Sequence, residues 1–366
     1  MNHVELIRFL ADAALIGPAQ LVRTDFAVRD YSRRNRNFAV TWDADRSGYF
    51  VKCARDSDHA ITIAHEAGFL QAVSGSPGAV RWRRNLPQFV RHNAASGALV
   101  TRFEQGRVSL RAMLDERQRA PVGSAEMVGR FAGRLHSADP RLLPPGSLTA
   151  SADRAVFGMT FDCPDHAVLR GSTSGAIAVL KAAQSSPGLM SYYPQIRALW
   201  RKEGLVHNDL RWDNLLVAKA FGSGRRLVVI DWELVMLGDP AWDLATIWGE
   251  HLGCWLQSIP LAAESEDELH VSLARYPLET LKRSIGKFWS AYTRTRKLPD
   301  AELAALFARS VTFLPARLIQ SAFEWSNNST QFSPHSILAV QFAENMIGQP
   351  DAAAAHFLGI VMTAQP

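Results

Sequence analysis

The chain of 366 residues is poor in cysteine. Its three cysteines, Cys53, Cys163 and Cys254, lie far apart and form no C-x-x-C pair. Disulfide frameworks and zinc sites need paired or closely spaced cysteines, so the sequence predicts neither. Such sparse cysteine usage is typical of a reducing compartment, and we expect a cytoplasmic location.

Long apolar runs are missing as well. No uninterrupted apolar stretch reaches the roughly 18–20 residues that span a bilayer. At the N-terminus, Glu5 and Asp12 interrupt the apolar residues, whereas a secretory signal has a positive start and a solid apolar block. The spacing instead predicts an amphipathic helix over residues 1–16. No membrane partner is expected.

Basic residues outnumber acidic ones, giving a formal charge of +5, but they are not concentrated in one region. Nucleic-acid binding requires clustered lysines and arginines with interleaved aromatic residues. Only the short segment 33–36 approaches this pattern, so no nucleic-acid partner is expected. Hydrophobic residues make up 47% of the chain, which is enough to form one large core or two lobes.

The order of predicted elements favours an α+β fold in two lobes. Short β-branched or aromatic runs predict strands at 26–29, 38–42, 49–54, 80–82, 89–92 and 99–103, and a helix is predicted at 61–73. After Gly106 the pattern becomes helical, with helices predicted at 110–116, 126–136, 174–184 and 190–203 and over most of 241–360. We therefore predict a small, strand-rich N-lobe at 1–105 and a large, helical C-lobe at 106–366.

Two segments of the second lobe carry the residues best suited to chemistry. The first, 205–214, contains His207, Asp209 and Asn214, and the second, 227–233, is an apolar run that leads into Asp231. Phosphoryl transfer needs a carboxylate near the acceptor hydroxyl and oxygen ligands for the Mg²⁺ that bridges the phosphates. Asp209 fits the first role. Asn214 and Asp231 fit the second.

In order and spacing, these segments resemble the aminoglycoside phosphotransferase/choline kinase superfamily, a branch of the protein-kinase-like fold. Residues 207–214 match its H-G-D-x-x-x-x-N loop, with Asn208 in place of glycine. Residues 230–233 match I-D-W/F-E, and residues 238–245 match G-D-P-x-x-D-L-A; Leu135-His136 matches the end of L-x-x-L-H. The resemblance covers about residues 25–250. It implies a bilobal fold, ATP as phosphoryl donor, Mg²⁺ as cofactor and an alcohol as acceptor, while ATP versus GTP stays open.

The resemblance also implies roles around the catalytic loop. Asp243 resembles a residue that braces this loop, and His207 is expected to orient it through hydrogen bonds. Asn208 suits the loop because asparagine tolerates unusual backbone angles. Two roles stay open for Arg211, which are contact with the transferring phosphate and a structural ion pair.

The segment 49–54 resembles the kinase strand V-A-I-K, with Lys52 as a ligand of the α- and β-phosphates. A lysine inside an apolar strand is not expected to be a solvated surface residue. Its first candidate partner is Glu66, which lies 14 residues later in the predicted helix. Glu104 and Asp58 are the alternatives.

The glycine-rich loop G-x-G-x-x-G of protein kinases is absent from this region. Ser32 and the segment 33–37 stand in its place, and we expect backbone amides and Ser32 to cradle phosphate. Whether the arginines of 33–36 bind phosphate or form a solvated turn stays open. The segment 99–106 resembles the strand-to-linker hinge, where adenine is expected near the backbone of Arg102, Phe103 and Glu104.

The acceptor is the least defined part of the prediction. Members of the superfamily phosphorylate small-molecule hydroxyls, and some act on peptides. Segments 35–37 and 207–214 also resemble stand-alone kinases of class V lanthipeptide pathways, which slightly favours Ser/Thr of a precursor peptide. An aminoglycoside is an alternative, although a polycationic acceptor needs an acidic pocket and this chain is net basic.

A nucleotide-binding pseudokinase or scaffold is an alternative of another class. It is disfavoured because Lys52, Asp209, Asn214 and Asp231 are all present. The aromatic residues of the C-terminal region either line an acceptor groove or form core, and core is favoured. These aromatic residues are Trp255, Phe288, Trp289, Tyr292, Phe313, Phe323 and Trp325. The oligomeric state is not predicted.

Overall fold

The computed structural model describes residues 1–32, 35–43, 47–76, 80–118, 122–142, 156–219, 226–261, 271–327 and 330–361. The chain divides into two compact units. The first contains Met1–Ser109, Asp139–Ala152 and Asn214–Val235, and the second contains Leu110–Ala138, Asp153–Asp213 and Met236–Pro366. The segment Asn214–Val235, which was predicted as part of the C-lobe, thus clusters with the strand-rich first unit.

A five-stranded antiparallel sheet forms the centre of the first unit, in the order β1-β2-β3-β5-β4. Its strands are β1 Ala27–Asp30, β2 Arg36–Asp43, β3 Ser47–Cys53, β4 Phe89–Asn93 and β5 Ala98–Arg102. Strand β3 is the middle strand, with Lys52 opposite Asn37 of β2 and Leu99 of β5. The five predicted strands at these positions are confirmed.

The α-helices in the described part of this unit are α1 His3–Asp12, α2 Pro18–Leu21, α3 Ser57–Gly75 and α4 Val80–Arg83. Helix α1 begins with a capping box, in which Asn2 and Glu5 each accept a hydrogen bond from the other's backbone amide. It buries Leu6 and Leu10 in the core that covers the sheet. The predicted amphipathic helix is confirmed, although it ends at Asp12.

The strand predicted at 80–82 is wrong, since this segment is helix α4. A run this short cannot distinguish helix from strand by periodicity. Trp82 is buried and stacks on Phe69 of α3, with ring centroids 6.1 Å apart. Packing of this kind decides the local conformation where propensity is weak.

A second, three-stranded sheet in the first unit has the order β6-β8-β9. Its strands are β6 Arg107–Ser109, β8 Leu215–Ala218 and β9 Val228–Val229. In the antiparallel pair β8-β9, Leu215 lies opposite Val229, and Asn214 O accepts a hydrogen bond from Ile230 N at 3.0 Å. Because β8 begins where β9 ends, this pairing sets Asn214 and Asp231 at the same edge of the sheet.

The second unit is mostly helical, with one two-stranded pair of β7 Gly204–Val206 and β10 Met236–Gly238. Its helices are α5 Leu110–Arg117, α6 Ala125–His136, α7 His166–Arg170, α8 Ser174–Ser185, α9 Pro187–Leu199, α10 Pro240–Ser258, α11 Leu278–Arg296, α12 Asp300–Ser326, α13 Pro334–Gly348 and α14 Pro350–Ala353. The helix predicted at 190–203 extends too far, because Trp200 already has an extended backbone. The predicted α+β class is confirmed.

Two close approaches fix the core of the second unit. A Cβ at Gly129 of α6 would lie 2.3 Å from Phe288 O, and one at Gly133 would lie 2.8 Å from Thr295 Cβ. Only glycine therefore lets α6 pack this closely against α11.

The C-terminal aromatic residues that were considered for an acceptor groove are all buried except Trp325. The buried ones belong to the hydrophobic core, which was the favoured interpretation. In the part of the chain that the structure describes, no helix has the length and apolar character to cross a membrane.

Candidate functional site: a lysine cluster and a braced catalytic loop

Lys52 is the centre of a cluster of charged side chains in the first unit. It is only 8% exposed, and its Nζ donates to Glu66 Oε2 at 2.7 Å and to Asp231 Oδ1. Glu233 Oε2 lies 3.8 Å from the same Nζ. We call Lys52, Glu66, Asp231 and Glu233 the lysine cluster. The predicted Lys52–Glu66 ion pair is confirmed. The two alternative partners of Lys52 are wrong. Glu104 pairs with Arg107 and Arg226 instead, and the lysine contacts Glu66 rather than Asp58.

The elements around the cluster hold each carboxylate in place. Glu66 lies in α3, which is capped by the Asp56 side chain, and its Oε1 accepts a hydrogen bond from Trp232 N at 3.2 Å. Glu233 Oε2 accepts from Thr62 Oγ1 at 3.2 Å. Phe69 of α3 stacks on Trp232 at 4.9 Å, so packing fixes the turn that carries Asp231 and Glu233.

In the lysine cluster, one ammonium faces three carboxyl groups. Burial alone would lower the pKa of Lys52, but Asp231, Glu66 and Glu233 outweigh it and raise this pKa above its usual value. Lys52 is therefore charged. Burial, reinforced by the Asp231 and Glu233 carboxylates, raises the pKa of Glu66.

Asp231 also has an unusual backbone, with φ 69° and ψ 58° in the left-handed region. A residue with a side chain adopts this conformation at a cost of roughly 1–2 kcal/mol, although aspartate tolerates it better than most residues. The strain is consistent with a backbone held for the placement of its side chain.

Asn214 and Asp231 offer the oxygen ligands that suit Mg²⁺. Among the described residues, no group of three or more His, Cys, Asp or Glu side chains forms a complete metal cage. A Mg²⁺ ion bound with a nucleotide needs none, because it takes one or two protein carboxylates together with phosphates and water. The donor set fits such an ion, and Asp231 lies among the carboxyl groups of the lysine cluster.

Residues 207–213 of the predicted catalytic loop belong to the second unit, where Asp243 braces the start of the loop. This buried carboxylate accepts hydrogen bonds from His207 N at 2.8 Å and Asn208 N at 2.9 Å, and it lies 3.2 Å from His136 Nε2. The bracing contact predicted for Asp243 is thus confirmed. Asn208 has φ 70°, as expected for a residue in the place of glycine, and Asp209 N donates to His207 Nδ1 at 3.2 Å.

Arg211 contacts two carboxylates in the same unit. Its Nε lies 2.8 Å from Asp209 Oδ1, and its Nη1 lies 3.0 Å from Glu324 Oε2. Asp209 is the largest of the influences that raise the pKa of Arg211. The ion pair considered for this residue is present, and the alternative of phosphate contact stays a prediction.

The contacts of Arg211 continue into buried parts of α5, α10 and α12. Arg317 contacts Glu324 at 3.3 Å and Glu250 at 3.8 Å, and Arg111 contacts Glu250 at 3.6 Å. Glu250 Oε2 also accepts from Trp212 N at 3.0 Å, next to Arg211. We call this set of six side chains the arginine network, and its members are Arg111, Arg211, Arg317, Asp209, Glu250 and Glu324.

Several backbone and side-chain groups of the residues predicted to bind the nucleotide already form hydrogen bonds within the first unit. Arg102 N donates to Gln88 O at 2.9 Å and Phe103 N to Gly48 O at 3.0 Å. Glu104 bonds with its side chain to Arg107 and Arg226. Ser32 Oγ accepts from Asn37 N at 3.1 Å and so closes its own turn. Of the arginine-rich loop, Arg33 and Arg34 lie outside the described residues.

Sequence reasoning gave no site role to five members of these two sets, which are Arg111, Glu233, Glu250, Arg317 and Glu324. Glu233 is the last residue of the I-D-W/F-E match at 230–233, but the motif by itself gives it no role. Glu250 and Arg317 lie in helices whose other residues are largely apolar, and a charge in such a helix needs a partner. This signal predicts that a partner exists but does not identify it, because Glu250 and Arg317 lie 67 residues apart in the sequence.

Comparison with known proteins places this chain in a family. Residues 30–277 match the model of the phosphotransferase enzyme family. No curated protein matches the chain significantly.

Several solved structures share the fold along almost the whole chain. A choline kinase from Cryptosporidium parvum matches with a TM-score of 0.55 at 13% identity, covering 94% of this chain and 97% of that one. An ethanolamine kinase from Plasmodium vivax matches with a TM-score of 0.52 at 14% identity, covering 95% and 89%. The GDP complex of aminoglycoside 2'-phosphotransferase-IIIa matches with a TM-score of 0.51 at 11% identity, covering 94% and 99%.

At these identities the structural matches establish the fold, which is the expected protein-kinase-like one. The family match covers more than half of the chain and includes both segments that carry the predicted catalytic residues. The chain therefore belongs to the phosphotransferase enzyme family, and the expectation that it transfers a phosphoryl group to an alcohol is confirmed.

Proposed function

We propose that the chain is an ATP- and Mg²⁺-dependent kinase in which Lys52 binds the nucleotide phosphates. The observation that carries the proposal is the buried Lys52–Glu66 ion pair, with Asp231 on the same ammonium. An ammonium held in this way is charged and fixed, which suits contact with anionic phosphates. Glu66 is then the residue that positions Lys52.

Asn214 and Asp231 are the proposed ligands of Mg²⁺. Their common position at one edge of the β8-β9 pair supports this assignment, as does the grouping of three carboxyl groups around Lys52. The bound ion supplies charge neutralisation on the terminal phosphates. The chain contributes a rigid hairpin that holds the two ligands together.

Asp209 is proposed to orient the acceptor hydroxyl and to accept its proton during transfer. The hydrogen bonds from His207 N and Asn208 N to Asp243 support a loop that is held ready for this role. His207 orients the loop through its contact with Asp209 N. Arg211 keeps its two possible roles, an ion pair with Asp209 and contact with the transferring phosphate.

The base is proposed to lie against the backbone of Arg102, Phe103 and Glu104. The amides of Arg102 and Phe103 already donate within the unit, so base contacts fall to other backbone groups of this segment. Ser32 is proposed to approach a phosphate. ATP is the proposed donor, and GTP is the alternative to test, because one structural neighbour was solved with GDP.

For the acceptor we propose the hydroxyl of a small molecule. Structural neighbours named for choline, ethanolamine and an aminoglycoside support this class. Ser/Thr of a lanthipeptide-type precursor stays a prediction from the motif resemblance and belongs in the same screen, as does an aminoglycoside.

The test is made on the purified full chain. We expect Mg·ATP to raise its melting temperature, and we expect slow ATP hydrolysis that stops when EDTA removes the metal. Mass spectrometry across aminoglycosides, small alcohols and peptides should then find one class that gains the roughly 80 Da of a phosphoryl group. A nucleotide-dependent rise without any turnover would favour the pseudokinase hypothesis, and no response to nucleotide would contradict both.

A conservative variant tests whether nucleotide binding needs the shape of the Lys52 side chain as well as its charge. Lys52→Arg retains the positive charge but replaces a compact ammonium with a planar fork, so we expect a higher KM for ATP. Lys287→Arg is the matched control, because Lys287 is exposed on α11. Equal KM values in both variants would remove Lys52 from the nucleotide site.

A further inference from the structure

Helix α10 carries two carboxyl groups that contact the predicted catalytic loop. Asp243 accepts hydrogen bonds from two amides at the start of the loop, those of His207 and Asn208. Glu250 Oε2 accepts one from Trp212 N, near the end of the loop, at 3.0 Å. Asp243 and Glu250 are almost two helical turns apart in the sequence, so both side chains lie on one face of α10. The loop therefore runs alongside the helix and is held near both of its ends.

The side chain of Trp212 is fixed as well as its amide. Trp212 is only 1% exposed. The guanidinium carbon of Arg111 lies 5.6 Å from the centroid of its ring, and the ring of His251 packs edge-on against it with centroids 4.8 Å apart. Trp212 is therefore a fixed point of the loop, and it directly follows Arg211.

Glu250 is itself buried and is contacted from two other helices. Arg111 of α5 lies 3.6 Å from Oε2, and Arg317 of α12 lies 3.8 Å from Oε1. Burial raises the pKa of Glu250, although the guanidinium groups around it act in the opposite direction. The hydrogen bond from Trp212 N requires an acceptor oxygen at this place, which a neutral side chain can also supply.

The residues between the two contacts are the ones with the proposed chemistry. Asp209 and Arg211 lie between Asn208 and Trp212 in the sequence. A short segment that is fixed at both ends has few backbone conformations available to it. This restriction matters for catalysis, because misplacing a catalytic group by about 1 Å can lower the rate by about 10²-fold.

We propose, on the basis of the proposed function, that Glu250 is a positioning residue that fixes the end of the catalytic loop through the amide of Trp212. Asp243 fixes the start of the same loop, so one helix sets the position of Asp209 from both sides. Glu250 acts through the backbone and touches no reacting atom. Its contribution is an acceptor oxygen at hydrogen-bonding distance, and not its charge.

Two variants of the full chain separate the acceptor oxygen from the charge. Glu250→Gln keeps the length of the side chain and an acceptor oxygen but cannot be charged. Glu250→Asp keeps the carboxyl group but is one methylene shorter, so its oxygens no longer reach Trp212 N. With water as the acceptor in Mg·ATP hydrolysis, we expect kcat to stay within about threefold in the Gln variant and to fall by about tenfold or more in the Asp variant. The KM for Mg·ATP should stay within about twofold in both.

A role of Glu250 in charge balance alone predicts the reverse order. If Glu250 only neutralised Arg111 and Arg317, Glu250→Gln would lose activity and Glu250→Asp would retain it. That order, or equal kcat values in the two variants, would overturn the inference.

Asp162→Asn is the matched control for the loss of a charge in the second unit. Asp162 pairs with Arg197 at 2.6 Å, and its side chain is 10% exposed. We expect this control to lower the melting temperature and to leave kcat unchanged. A loss of kcat as large as that in Glu250→Asp would show that any broken ion pair has this effect, and the inference would be overturned.

Hydrogen exchange gives a second measurement that does not depend on activity. Deuterium uptake by peptides that cover 207–213 should be faster in Glu250→Asp and unchanged in Glu250→Gln, because only the Asp variant loses the bond from Trp212 N. Equal uptake in Glu250→Asp and the wild type would contradict the inference.

A folding failure of one variant leaves the other to decide. A tenfold loss of kcat in Glu250→Gln and an unchanged kcat in Glu250→Asp each overturn the inference by themselves. Failure of the proposed function is a different result, since the wild type would then hydrolyse no ATP while hydrogen exchange would still report on the loop.

Discussion

The lysine cluster of the first unit and the arginine network of the second differ in how their charges balance. In the cluster, one ammonium meets three carboxylates. In the network, three guanidinium groups meet three carboxylates. In the contacts described, carboxyl groups therefore outnumber the cation in the cluster, whereas the two kinds of group are equal in number in the network.

This difference indicates what each set is built to do. Buried carboxylates in excess of their cations raise the free energy of the folded chain unless a further cation joins them. The carboxyl-rich cluster is consistent with the proposed Mg²⁺ ligand Asp231, whereas the contacts of the arginine network hold its side chains to one another. Each prediction below changes one residue, either in the unit of the lysine cluster or in the unit of the arginine network.

The largest effect is expected from Asp209→Asn, which leaves the arginine network with one more cation than carboxylates. Because the amide cannot accept the hydroxyl proton, kcat should fall by on the order of 10²-fold or more. Initial rates and the KM for Mg·ATP provide the measurement. An unchanged kcat would remove Asp209 from the proposed role, whereas retained nucleotide affinity with lost turnover would support it.

Asp231→Asn makes the corresponding change in the lysine cluster, reducing its carboxylates from three to two. Loss of a charged ligand should raise the Mg²⁺ concentration for half-maximal hydrolysis by about 10–100-fold. Asparagine also tolerates the left-handed backbone, so the turn is retained. Asp12→Asn is the exposed control, and identical Mg²⁺ titrations of the two variants would contradict the metal assignment.

Asp243 lies in the second unit but accepts its hydrogen bonds from backbone amides and a histidine. Asp243→Ala would leave His207 N and Asn208 N without their acceptor, and we expect a loss of about 2–4 kcal/mol in the free energy of unfolding. Urea denaturation measures this loss. Asp300→Ala, at an exposed position of α12, should change stability by less than about 1 kcal/mol; equal losses would mean that the bracing contacts contribute little.

The smallest effect concerns His251, a buried and neutral polar residue of the second unit. Burial lowers its pKa to about 4, from an ordinary value of 6.5. Between these values the unfolded chain binds the proton more tightly, so the stability present above pH 6.5 is lost as the pH falls toward 4. We expect a loss of about 1–2 kcal/mol between pH 6.5 and 5.

His251→Gln has no titrating ring and should lose less stability over the same pH range. Urea midpoints at several pH values compare the two proteins. Parallel curves for the wild type and the variant would show that other groups cause the acid sensitivity.

Elements with long, regular patterns or several linked motifs were predictable from the sequence. The strands that carry Lys52 and lead to Asp231 appear as apolar runs, and the Lys52–Glu66 pair follows from the resemblance of 49–54 to the kinase strand V-A-I-K. The segment 80–83 was not predictable, because four residues give no usable period and the stacking of Trp82 on Phe69 decides the outcome.

Partners that are distant in sequence were the main omission. Arg211 was expected to contact an anion, yet nothing in its own segment points to Glu324 of α12. Such pairs depend on how α12 packs within the second unit, which periodicity does not specify. Motifs identify residues that act on ligands, but the side chains that orient those residues are visible only in the folded chain.

The left-handed backbone of Asp231 limits which amino acids can replace it during evolution. Valine, isoleucine and threonine are rejected there by sterics alone, whereas glycine and asparagine are accepted. Glycine would relieve the strain while removing the carboxylate. If Asp231 holds the proposed Mg²⁺, a single change to glycine or asparagine would therefore remove the activity while the protein keeps its fold.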